Sequence, residues 1–109
     1  MNGYKVLEES AKLLGLSSVD ENLKIIGLPL VNEILIDLGF APLASLYEKV
    51  GISSEKVLSA LRFGVSALVA GAQGDFDSRE SMSAIYTAKK AELKNHISRV
   101  KNVIPGGEM

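Results

Sequence analysis

At 109 residues the chain has the length of one domain, and its 47% hydrophobic and 23% charged residues exclude a disordered chain. A formal net charge of -1 gives no long-range pull toward nucleic acid, and the absence of cysteine excludes disulfides, thiolate metal sites and cysteine nucleophiles. Aromatics are only 6% of the residues and tryptophan is absent, so the core must be built from Leu, Ile, Val and Ala, which suits packed helices better than sheets.

The first five residues lead straight into a charged amphipathic stretch, so no signal peptide is expected and a reducing, intracellular setting follows. A first helix is predicted from Tyr4 to Leu14, with Val6, Leu7, Ala11, Leu13 and Leu14 on one side and Gly15 as its stop. Ser18 and Glu21 read as a capping box that opens a second helix. Its apolar positions are Leu23, Ile26, Leu30, Ile34 and Leu38, and Gly39 ends it. Pro29 removes one hydrogen bond there and predicts a kink near Ile25 to Leu28, or two shorter helices. The apolar run Ile25 to Val31 is too short for a membrane span.

Phe40-Ala41-Pro42 connects onward, and Leu43 to Val50 has room for a short helical turn. Ser53 is the expected cap of a third helix reaching about Gln73. Leu58, Leu61, Val65, Leu68 and Ala72 form its apolar seam. Beside the seam, Ala60, Gly64, Ala67 and Gly71 make a strip almost without side chains. Glycine inside a helix costs roughly 1 kcal/mol relative to alanine, which makes sense if a close neighbour lies on the strip. That neighbour is either another copy of the chain or helix 4 or helix 1 of the same chain. After Gly74, Asp77 to Glu80 forms a second capping box for a fourth helix, with Met82, Ile85, Tyr86, Leu93, Ile97 and Val100 facing inward and fraying near Ser98. Pro105, Gly106 and Gly107 break regular structure in the last residues. The reading is all-α, four to five helices in a compact bundle spanning 1–98, with a flexible tail over 99–109.

Few residues suggest chemistry. The single histidine, His96, stands late in helix 4 beside Lys94, Arg99 and Lys101, where a cation suits the helix dipole. A calcium loop counted from Asp75 would need glycine at Glu80 and glutamate at Tyr86, so that pattern fails. Gly71 to Gly74 follows a helix, whereas a phosphate-binding loop follows a strand. Glu8-Glu9, Asp20-Glu21 and Glu33 with Asp37 read as helix starts or solvated faces. No enzyme, metal site or cofactor is expected.

For DNA reading, helix 3 offers almost only Arg62, while the basic residues Lys89, Lys90, Lys94, Arg99 and Lys101 come late as a weak phosphate-facing stripe. Residues 1–50 hold four lysines against seven acids, and residues 51–109 hold eight basic residues against six acids. That gradient, the helix-3 strip and an apolar Val103-Ile104-Pro105 fit a subunit that packs beside copies of itself.

Between Leu43 and Lys94 a further pattern stands out. It comprises Leu46, Val50-Gly51-Ile52, Glu55-Lys56-Val57 and the run Ala60 to Ala70, then Gly74-Asp75 and Ile85-Tyr86-Thr87-Ala88-Lys89-Lys90-Ala91. It resembles the small helical head-tail connector (neck adaptor) proteins of tailed bacteriophages and prophages. In those an aromatic-glycine-apolar run opens a long helix, Gly-Asp closes it, and tyrosine with basic residues marks the next. The resemblance implies a homo-oligomeric ring docked on the portal, assembled in the host cytoplasm and ending in the virion neck. It also implies another neck or tail component as partner. Arg99, Lys101, Val103 and Ile104 would then reach toward the portal, and Lys89, Lys90 and Lys94 would meet DNA non-specifically in the channel. The alternative is a small helical DNA-associated regulator or accessory module of a mobile element.

Overall fold

The computed structural model describes residues 1–103, with side chains through Lys94. It is all-α, with four helices and no strand among the described residues: α1 (Gly3–Leu13), α2 (Glu21–Asp37), α3 (Glu55–Ala72) and α4 (Phe76–Val103). Gly15, Gly39 and Gly74 stop the first three helices with positive φ, where a Cβ would strain the backbone.

The helix starts differ from the sequence prediction by one or two residues. Asn2 caps α1, accepting from the Lys5 N–H. Asp20, not Ser18, caps α2 by accepting from the Leu23 N–H at 2.8 Å. Ser54, not Ser53, caps α3, and Asp75, not Asp77, accepts from the Ser78 N–H at the start of α4. Each cap has a second Ser or Asp close by in sequence, and the one with extended backbone at the junction wins.

Helix α2 is a single helix through Pro29, which excludes the two-helix alternative. Pro29 is exposed, and the carbonyl it leaves unpaired belongs to Ile25, itself 74% exposed, where water can serve. The buried face of α2 is Leu23, Gly27, Val31, Ile34 and Leu35, rotated from the predicted one. Leu7 of α1 lies against Gly27, so the face includes a position that hydrophobicity does not mark. Ile25, Ile26 and Ile36 consequently face outward.

No helical turn forms over Leu43 to Val50. That connection is instead tied down by its backbone: the Gly3 and Tyr4 N–H groups donate to the Glu48 and Leu46 carbonyls, and the Val50 N–H donates to the Met1 carbonyl. These bonds satisfy donors at the start of α1 that no helix could. Leu43, Leu46 and Val50 are thereby buried with Val6, Leu7 and Leu35.

Helix α3 is the centre. Leu58, Leu61 and Val65 of its predicted seam are buried, Leu68 is half-buried and Ala72 is exposed. Helix α4 lies mainly on α3. Met82, Tyr86 and Leu93 are half-buried, whereas Ile85, predicted to face inward, is 38% exposed. The helix does not fray at Ser98 but continues through Val103, so the predicted boundary at 98/99 falls inside α4. The side chains of Ile97 and Val100, and residues 104–109, lie outside the described residues. None of the four helices is long and apolar enough to cross a membrane.

Candidate functional site

The glycine-alanine strip on α3 is occupied from within the chain. Ala60, Gly64 and Ala67 are buried and Gly71 is half-buried. A Cβ at Gly64 would stand 2.7 Å from Ile34 Cγ2 and 2.9 Å from the Tyr86 ring, so α2 and α4 both close over it. At Gly71 the neighbour is Arg79 of α4, whose Cδ would be 2.9 Å away. Helices α4 and α2, rather than α4 or α1, are the close partners, and a second copy has no room at these two glycines.

Helix α1 meets α3 on its other side through polar rivets that the apolar periodicity hides. The buried Ser66 hydroxyl donates to the Ser10 carbonyl at 2.7 Å, and the Ser10 hydroxyl donates to the Val6 carbonyl at 2.7 Å. Arg62, the one residue of α3 suited to reading DNA, is already committed. Its guanidinium donates to Glu9 of α1 and to Glu55, each at 2.8 Å, and its side chain is only 19% exposed. Those carboxylates hold the guanidinium pKa above its usual range, Glu55 contributing most.

The basic residues of α4 are committed likewise. Lys89 stands over the Phe63 ring at 5.3 Å, and Lys90 pairs with Asp37 of α2 at 2.8 Å. The Tyr86 hydroxyl donates to the same Asp37 carboxylate, so α4 is clamped to the end of α2. Lys94 is exposed, and the side chains of Arg99 and Lys101 lie outside the described residues. Among the described residues no three metal-ligating side chains gather.

Two clefts adjoin where α2 ends, one of about 270 Å³ under the 40–52 connection and one of about 380 Å³ between α2, α3 and α4. Phe40 lines both. Comparison with protein-family models, with curated proteins and with solved structures gives no match. What the chain does must therefore be argued from these surfaces and from its sequence.

Asp37 also sets a pH dependence. Hydrogen bonds from Lys90 and then Tyr86 hold its carboxyl below the usual range, while burial and the Asp37 carboxylate push the Tyr86 phenol up. A carboxyl whose folded pKa is depressed stabilises the fold above its unfolded pKa, about 3.9, and loses that contribution as pH falls through the folded value. With Asp37 45% exposed, solvent screening keeps the effect within about 1 kcal/mol. Urea midpoints should fall between pH 6 and pH 2, and Asp37→Asn should shallow that fall. An identical slope in the variant would refute the clamp.

Proposed function

We propose that the chain is a non-catalytic head-tail connector subunit of a tailed bacteriophage or prophage, which oligomerises into a ring and docks on the portal vertex. The observation that carries the assembling part is helix α2. It is apolar on nearly every side, and such a helix is ordinarily covered on every side. Here Ile25 is 74% and Ile36 57% exposed, on a chain whose Tyr47 and Phe76 are also exposed at 74% and 60%. Exposed apolar side chains of this size, gathered on one small subunit, favour an interaction surface over a free monomer.

The phage part rests on the resemblance between Leu43 and Lys94. Under this reading the partners are further copies, the portal and another neck or tail component, met in the host cytoplasm during assembly and then in the virion neck. The end of α4, from Arg99 to Val103, points the subunit toward the portal. Lys94 is the channel-facing candidate for non-specific contact with DNA, since Lys89 and Lys90 are already engaged. The DNA-regulator alternative draws no support from Arg62, which two glutamates hold.

Sedimentation across a concentration series, alone and with the portal protein encoded beside it, tests the proposal. Multimers, or a complex of defined stoichiometry on the portal, are expected. A chain that stays monomeric in both settings and binds one duplex with salt-resistant specificity would overturn it.

A further inference from the structure

We infer that the two clefts flanking Phe40 form one docking groove, and that its occupant is the Ile104–Glu108 segment of a second copy of this chain. The inference deepens the self-assembling reading and rests on it. The groove floor is apolar, with Leu38, Phe40, Pro42, Ile52, Val57 and Leu93 among its lining. Around it stand three lysines, Lys49, Lys90 and Lys94, against two carboxylates, Asp37 and Glu48, which leaves one positive charge in excess. Asp37 is already neutralised by Lys90, and the Glu48 carboxylate accepts the Ala44 N–H. An occupant that suits this groove is a short apolar stretch followed by an acid.

The chain carries such a stretch just beyond the described residues: Val103-Ile104-Pro105, then two glycines, then Glu108. Three extended residues span about 10 Å, enough for Glu108 to reach a rim lysine with Pro105 on the floor. The segment does not fit its own groove. Helix α4 leaves the groove at Lys94 and runs on to Val103, which carries the chain roughly 14 Å away at 1.5 Å per residue. Returning that distance takes about four extended residues, so Ile104 and Pro105 would be consumed on the way back. Only a neighbouring copy can offer its floor to them. The contact joins two different surfaces, so it is head-to-tail and propagates to a ring when the rotation closes. Ile104 thereby belongs to the neighbouring subunit rather than to the portal.

The absence of native cysteine makes the test clean. Ala41, exposed on the groove, is replaced in one chain (Ala41→Cys) and Ile104 in another (Ile104→Cys), and the two are mixed under mild oxidation. Ser17→Cys serves as the control partner, because it lies before α2, whose 17 residues place it about 25 Å from the groove. The Ala41–Ile104 bridged heterodimer should exceed the control several-fold, and adding Glu108→Lys should remove most of that excess. Equal yields, or a chain with both cysteines that closes on itself instead, would overturn the groove contact. If the unmodified chain still sediments as a multimer in that case, the contact alone is lost and the assembly reading stands. A chain monomeric at every concentration, with equal yields, removes both.

Discussion

Gly64→Leu should lower the unfolding free energy by several kcal/mol, the largest effect expected of any single substitution on α3. The first added carbon already stands 2.7 Å from a methyl of Ile34 and 2.9 Å from two carbons of the Tyr86 ring. Neither neighbour yields easily. Ile34 is β-branched and buried, and Tyr86 is fixed through its hydroxyl to Asp37. Leucine then adds three further carbons to a site closed by two helices. Overpacking costs about 1–3 kcal/mol, and more where backbone must shift, against a gain of about 1 kcal/mol from replacing a helical glycine. Gly64→Ala poses the same conflict at smaller scale and should come out destabilising by about 1 kcal/mol. Gly71→Ala should have the opposite sign. The atom in its way is Arg79 Cδ, part of a long exposed side chain that can swing aside, so the helix-propensity gain of up to about 1 kcal/mol remains. Urea midpoints for the three variants give the comparison. A Gly64→Leu midpoint equal to the parent's would show that α2 and α4 do not close over the strip.

These glycines also mark how far the sequence could be read. Leu58, Leu61 and Val65 are legible because α3 has one strongly apolar side and the period is regular. The strip beside them is legible as a close approach, since a glycine in mid-helix needs a reason. Which helix makes the approach is not legible, because Ile34 and Tyr86 lie 30 and 22 residues away in opposite directions. Helix α2 misled the reading for a different cause. With apolar residues on nearly every side it has no single face to find, and the position that decides its rotation, Gly27, is nearly invisible to hydrophobicity. The basic residues of α4 were visible as charges but not as occupied charges. Lys90 and Asp37 are 53 positions apart, and no local rule links them. The same is true of Asn32, which the periodicity passes over as one polar residue on an apolar helix.

Asn32→Ala should cost about 2–4 kcal/mol, although it removes only a small, half-buried side chain. Asn32 is the single side chain of α2 that grips the backbone of the 40–52 connection. Its amide donates to the Leu43 carbonyl at 3.0 Å, and its carbonyl oxygen accepts from the Leu43 N–H at 2.7 Å. Leu43 is 8% exposed, so water cannot readily replace either bond, and each orphaned group costs about 1–3 kcal/mol. Asn32→Asp separates the two halves of the grip. It keeps an acceptor for the N–H but sets a carboxylate oxygen against the Leu43 carbonyl, so it should be as damaging as alanine at pH 7. At pH 3, where a protonated acid regains a donor, part of the loss should return. The damage should also spread in a defined direction. Leu43 packs on Gly3, and the Gly3, Tyr4 and Val50 N–H groups bond across to the same connection and chain start. Their amide exchange should therefore accelerate in Asn32→Ala well beyond that of the α3 core. Uniform acceleration across the chain would mean only global destabilisation, and no acceleration would mean that the apolar packing of Leu43 and Leu46 holds the connection by itself. Phe40 and Pro42 flank Leu43 in the groove wall, so the connection that Asn32 fixes also fixes the proposed docking surface. Asn32→Ala should then weaken the Ala41–Ile104 cross-link even under conditions where the chain remains fully folded.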